Sequence, residues 1–320
     1  MKIACFYFSD SGEQLAGQLK SKLGYQIELF SKSNYKQQMA AAFQSCEALI
    51  FVSATGVAVR LIAPYLQSKL KDPAVVVIDD TGQFVISLVS GHIGGANALT
   101  QEISELINAT PIITTASDNR GFEALDLFAQ RHHLIVENSS DMKNIMTMMV
   151  NGETIGFFAD NKYQLNYPHI NNQNYKGAVY ISEDSNISSQ LPYCVLRPKN
   201  INIGIGCRRG KSKQEILVAV KNVFKSHQLS LVSINKMASI EAKSDEIGII
   251  ETAAEIKAEL HFFSEVQIKA IQENYTSSNF VEQSVGVTSV CEPCAELCGG
   301  TLILKKQVHS GITIALSKEK

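Results

Sequence analysis

Short runs made almost wholly of apolar residues recur along the first third of the chain, and they constrain its fold more than any other feature. They are KIACFYF at 2–8, EALIFVS at 47–53, AVVVID at 74–79 and FVISLV at 84–89. Successive side chains of a strand point to opposite faces, so such runs need cover on both faces. A parallel-rich sheet between two layers of helices provides that cover. The stretches between the runs have helical spacing: EQLAGQLKSKL, VAVRLIAPYL, ANALTQEISELI and EALDLFAQRH, with a further strand at PIITT. Alternating β and α elements predict an α/β fold with an open, mostly parallel sheet and flanking helices. AVVVID and FVISLV are separated by Asp79-Asp80-Thr81-Gly82, which is turn chemistry. They are expected to form a hairpin beside the parallel strands.

The pattern changes near residue 139. After the helical MKNIMTMMV, the chain to Lys199 is rich in Asn, Ser, Tyr and Pro, with strand candidates at ETIGFF, GAVYIS and YCVLRP. From Asn200 the alternation resumes. INIGIG, LSLVSIN, HFFS, TLILKKQV and GITIALS read as strands, and KQEILVAVKNVFKSH and IGIIETAAEIKAEL as mainly helical. The expected domains are therefore an N-terminal α/β domain over 1–138, a small β-rich middle domain over 139–199 and a separate C-terminal α/β domain over 200–320. A chain of 320 residues has the length for two or three domains.

The charge balance, 29 Lys and Arg against 31 Asp and Glu, provides no concentrated positive surface for nucleic acid. Any anionic ligand needs local basic groups. The opening MKIACFYFSD is too short for a signal-peptide core, and no apolar run has the length to cross a bilayer. Seven irregularly spaced cysteines, without an export signal, read as reduced thiols, so a cytoplasmic location is expected.

Three glycine-bearing segments lie where strands are expected to end and helices to begin. They are Ser53–Gly56 with Thr55, Ser90–Asn97 with Gly91, Gly94 and Gly95, and Gly204–Gly210 with Gly206. Each can present bare N–H groups at a helix N-terminus, an arrangement that favours carboxylate or phosphate. None forms a P-loop, a dinucleotide fingerprint or a nucleophile elbow. His92 is the one histidine inside such a segment. It reads either as an acid/base group titrating near neutrality or as a ring that fixes the loop. Asp118 reads either as its orienting carboxylate or as a helix cap. Arg60, Arg208 and Arg209 are carboxylate clamps or solvated charges. Cys291, Cys294 and Cys298 follow C-x2-C-x3-C and share one face of a helix, but no further Cys pair or His completes a zinc set. Small buried thiols and no metal are expected. Glu292 is a helix-start carboxylate or a site residue.

SATGVAVRLIAPYL, DPAVVVIDDTGQFVISLVSGHIGGANALTQEI and PIITTASD resemble the N-terminal domain of the CbiG family. NIGIGCRRG, KMASIEAKSDEIGI and FVEQSVGVTSVCEPCAEL resemble its C-terminal domain, a module shared with the stand-alone CobE family. The family has small residues where Cys294 and Cys298 stand, which further lowers a metal reading. The resemblance implies a cobalt-precorrin-5A hydrolase of anaerobic cobalamin biosynthesis. Such an enzyme opens the δ-lactone of a cobalt-corrinoid and releases acetaldehyde. Cobalt then belongs to the substrate, and no cofactor is expected. The substrate's many carboxylates suit Thr55, Gly56, Arg60, Ser90, Gly91, Gly94, Gly95, Asn97, Gly206, Arg208, Arg209 and Glu292, with a cleft between the terminal domains as the natural place for the macrocycle. His92, oriented by Asp118, is the expected base, and N–H groups near Gly91 and Gly94 the expected oxyanion donors. The resemblance implies a small-molecule partner and transient contact with neighbouring pathway enzymes; the oligomeric state is not fixed. A corrinoid carrier and a flavodoxin-like nucleotide-binding protein are the competing readings.

Overall fold

The computed structural model describes residues 1–68, 71–116, 120–275 and 277–320. Its described residues form three β-sheets, and the chain divides into two compact units. One is Met1–Gln130 with Leu165–Pro168, and the other is Arg131–Gln164 with His169–Lys320. Among the described residues, no helix is long and apolar enough to cross a membrane.

The first unit is built on β1 (Lys2–Tyr7), β2 (Gln26–Phe30), β3 (Ala48–Val52), β4 (Ala74–Ile78), β5 (Phe84–Val89) and β6 (Thr110–Ile112). Their order in the sheet is β2-β1-β3-β4-β5-β6. Alternate residues of the central strands feed two cores. Ile3, Cys5, Ile50, Val76 and Ile78 meet Ala16, Leu19, Leu99 and Ile103 of helices Asp10–Lys22 and Ala96–Ile107. Phe6, Leu49, Phe51 and Val77 meet Met39, Phe43, Ala58 and Ile62 of helices Tyr35–Ser45 and Thr55–Ile62. This two-sided burial is why the runs are apolar throughout.

Sequence reasoning assigned neither β2 nor the helix after it. β2 is an edge strand, where Glu28 meets Lys2 at 3.1 Å, so its apolar signal is diluted. The helix opens on the polar Tyr35-Lys36-Gln37-Gln38, which hides its buried face.

The expected hairpin is present, and it separates two of the glycine loops. β1 to β4 are mutually parallel, whereas β5 runs antiparallel to β4 with Val89 opposite Val75. The carboxyl end of β5 therefore lies at the amino end of β4, where the Ser90 hydroxyl donates to the Asp72 carbonyl at 2.9 Å. Ser53–Gly56, which follows β3, is at the other edge of the sheet. The two loops cannot share one crevice, because a reversed strand exchanges its ends.

In the second unit, β7 (Leu134–Val136), β8 (Ile155–Phe158), β9 (Gly177–Ile181) and β10 (Tyr193–Pro198) form a sheet in the order β7-β10-β9-β8. Helix Ser139–Val150 buries Met142, Ile145 and Met149. A five-stranded sheet follows in the order β13-β12-β11-β15-β14, made of β11 (Ile201–Cys207), β12 (Ile234–Ile240), β13 (Glu259–Phe263), β14 (Thr301–His309) and β15 (Ile312–Lys318). The strand expected at 229–235 begins instead at Ile234. Ser230 accepts the Val232 N–H and winds Leu231–Ser233 into a 3-10 turn.

Gly204 and Gly206 also lie inside β11 rather than in a loop. A Cβ on Gly204 would stand 1.8 Å from the Cys291 carbonyl oxygen, so this glycine lets helix Cys291–Leu297 pack on the strand.

Candidate functional site

Two regions carry chemistry, one in each unit. The first is the loop Ser90–Asn97. It winds back on itself through Gly95 N–H to His92 O, Ala96 N–H to Ser90 O and Asn97 N–H to Gly91 O, at 2.9, 3.1 and 2.9 Å. Ser90 sits at φ 58° and Gly95 at φ 86°. A Cβ on Gly94 would meet Ser90 Cβ at 2.3 Å and Ser90 O at 2.8 Å, and one on Gly91 would meet Asn97 Oδ1 at 2.6 Å. These glycines are thus required by the loop's own packing. Asn97 accepts from Ser87 at 2.6 Å and donates to Thr115 at 3.0 Å, so its buried amide braces the loop.

This winding presents His92, which is 15% exposed at the side chain, to a buried carboxylate. Its Nδ1 lies 3.6 Å from Oδ1 of Asp126, which is 3% exposed. Asp118, the expected orienting carboxylate, lies outside the described residues; Asp126 is a second carboxylate within ion-pair distance of the ring, which the sequence reading did not name. Asp126 belongs to helix Leu125–Arg131, whose buried residues include Leu125, Asp126, Phe128 and Ala129. A carboxylate within the apolar face of EALDLFAQRH was the available sequence signal, since buried acids are rarely left without a partner. The Nδ1 side of the ring thus faces the Asp126 carboxylate, the side from which a carboxylate orients an imidazole.

Thr55, Gly56 and Arg60 stand apart from His92, on the helix at the other sheet edge. Gly56 faces open space and Arg60 is exposed.

The second region is a pocket of about 550 Å³ where β11 and β12 end. Gly206, Arg208, Arg209, Lys243, Thr288 and Lys306 are among its lining residues, with an apolar wall that includes Ile240, Val281, Val285 and Val290. Two of the cations are already paired. Arg209 donates to Asp245 at 2.8 Å, and Lys243 donates to Glu246 at 3.1 Å. The hydrogen bond and charge of Arg209 hold the Asp245 carboxyl below its ordinary range. Sequence reasoning missed Lys243 and Lys306, because isolated lysines carry no local signal. Glu292 is buried, accepting from the Lys306 N–H at 3.3 Å and facing Ser289 Oγ at 3.5 Å, so it braces the helix start.

The three cysteines lie on one side of the helix by their spacing, but they feed two packing clusters. Cys294 and Cys298 pack in one apolar cluster and Cys291 in another. The helix is buried on more than one side. Burial pushes the Cys291 thiol up to about 11, Cys298 up to about 12, and Cys294 well above its ordinary value. Among the described residues, no group of three or more His, Cys, Asp or Glu could hold a metal ion. In a native thiol titration near pH 8, only Cys207, the one partly exposed cysteine, should react quickly, and the other six should react after unfolding. Rapid modification of Cys291, Cys294 or Cys298 in the folded protein would contradict this packing.

Three family models match the chain. "Cobalamin synthesis G N-terminal" covers residues 37–118, "Cobalamin biosynthesis central region" 123–198 and "Cobalamin synthesis G C-terminus" 201–317. A cobalt-precorrin-5A hydrolase of Priestia megaterium is 34% identical over 91% of this chain and 83% of its own length. The protein of the same name from Salmonella typhimurium is 32% identical over 86% of this chain and 83% of its own. The crystal structure of a cobalamin biosynthesis protein G homologue from Sulfolobus solfataricus covers 100% of this chain and 97% of its own, at 25% identity and a TM-score of 0.41.

Proposed function

Because the chain belongs to the CbiG family, we propose that it is a cobalt-precorrin-5A hydrolase, opening the δ-lactone of the corrinoid and releasing acetaldehyde. The observation that carries this reading is similarity along nearly the whole chain, through all three family segments, to relatives of that name.

The chemistry assigned to the chain's own residues is limited. His92, held by Asp126, takes a proton from water through Nε2 as the oxygen adds to the lactone carbonyl. The tetrahedral intermediate collapses with cleavage of the ring C–O bond, and the imidazolium returns the proton to the departing alkoxide. The freed hydroxyl then loses its proton as the adjoining C–C bond breaks. Acetaldehyde leaves, and the electron pair passes into the conjugated macrocycle before protonation. Loop N–H groups near Gly91 and Gly94 are the candidate oxyanion donors. Cobalt is carried by the substrate in this reading, and the protein supplies no cofactor of its own.

The test is an anaerobic assay of the full chain with cobalt-precorrin-5A, following acetaldehyde and the corrinoid mass together. Catalytic release of one acetaldehyde per corrinoid, with lactone opening, is expected. Tight corrinoid binding without turnover would replace the hydrolase by a carrier.

A further inference from the structure

We propose that the C-terminal pocket is a carboxylate-binding site for the corrinoid, read by Arg208 and Lys306 together. The proposal rests on the corrinoid reading for the identity of its ligand. Among the described residues, four cations line the pocket, Arg208, Arg209, Lys243 and Lys306, and no carboxylate does. Arg209 and Lys243 are compensated by Asp245 and Glu246 at 2.8 and 3.1 Å, and Glu246 also accepts the Gly210 N–H at 3.0 Å. Among the described residues, the side chains of Arg208 and Lys306 have no ion-pair partner.

Arg208 is also placed rather than loose. The residue is exposed, but its backbone N–H donates to Gly311 O at 3.1 Å and a Cβ on Gly311 would touch its side-chain Cδ at 3.3 Å. Its stem thus lies against the turn between β14 and β15. Lys306, on β14, lines the same cavity and is half-buried. Two uncompensated cations over an apolar wall match a ligand with an apolar frame and at least two peripheral carboxylates. An acetate- and propionate-bearing macrocycle has that chemistry. A neutral or fully amidated ring lacks it.

The test measures binding of two probes to the full chain. One is cobyrinic acid, a corrinoid whose acetate and propionate side chains are free acids, and the other is its all-amide counterpart. The wild type should prefer the acid by about tenfold or more, and the preference should shrink as salt rises. Arg208→Gln and Lys306→Gln should each weaken the acid by roughly five- to tenfold and leave the amide unchanged. Lys305→Gln, an exposed neighbour outside the pocket, should change neither. Variants that bind the acid like the wild type, or lose both probes equally, would overturn the proposal. The two readings fail separately. Acetaldehyde turnover with unaltered acid binding in both variants removes the carboxylate site and leaves the hydrolase. Charge-dependent acid binding without turnover leaves the site and removes the hydrolase.

Discussion

Replacing His92 with alanine is expected to lower kcat for acetaldehyde release by ~10²–10⁴-fold, the usual contribution of a positioned general base. Binding of the corrinoid should change little, because the loop is held by Ser90, Gly91, Gly94 and Asn97 rather than by the imidazole. Asp126→Asn keeps the shape of the buried side chain and removes its charge. It should lower kcat while KM stays near the wild-type value, since Asp126 acts on the substrate through His92. A packing role alone would instead show as lost stability with kcat per folded molecule unchanged. The pair should be non-additive: once His92 is alanine, Asp126→Asn should cost almost nothing more in rate. Wild-type turnover by the His92 variant would remove this histidine from the chemistry.

Gly204→Ala is expected to have the largest effect on stability. The new Cβ would stand 1.8 Å from Cys291 O and 2.5 Å from Ala295 N, both backbone atoms of a buried helix. No flexible side-chain end can yield, so the cost should reach or exceed about 3 kcal/mol, the upper part of the overpacking range. In a unit of this size that corresponds to a fall in Tm of roughly 10 °C in the transition of the C-terminal part. Gly56→Ala is the contrasting case. Gly56 has open space around it inside helix Thr55–Ile62, and alanine there should stabilise by about 0.5 kcal/mol. Calorimetry of the two variants checks both signs, and a neutral Gly204→Ala would mean that the helix does not approach β11 this closely.

These contrasts show what was legible in the residues. Both glycines stand in similar company, Ser-Ala-Thr-Gly and Ile-Asn-Ile-Gly, and local sequence marks each as a point of backbone freedom. Only the approach of a helix more than eighty residues later separates an indispensable glycine from a replaceable one. The same holds for the cations. Arg208 and Arg209 are adjacent, chemically alike and both line the pocket, yet Arg209 is paired with Asp245, while among the described residues Arg208 has no ion-pair partner.

The sequence by itself determined the α/β class, the β4–β5 hairpin and the glycine loop around His92. Strand and helix periodicity, buried runs and turn chemistry are properties of neighbouring residues. Tertiary structure alone decided the rest. The reversal of β5 sends Ser90–Asn97 and Ser53–Gly56 to opposite edges of the sheet. The packing of helix Leu125–Arg131 brings Asp126 to His92. Cys291 and Cys294 enter separate cores although both belong to one short helix. Each of these outcomes is a pairing between groups distant in the chain, and a pairing is settled by burial and charge compensation in three dimensions, which no local pattern encodes.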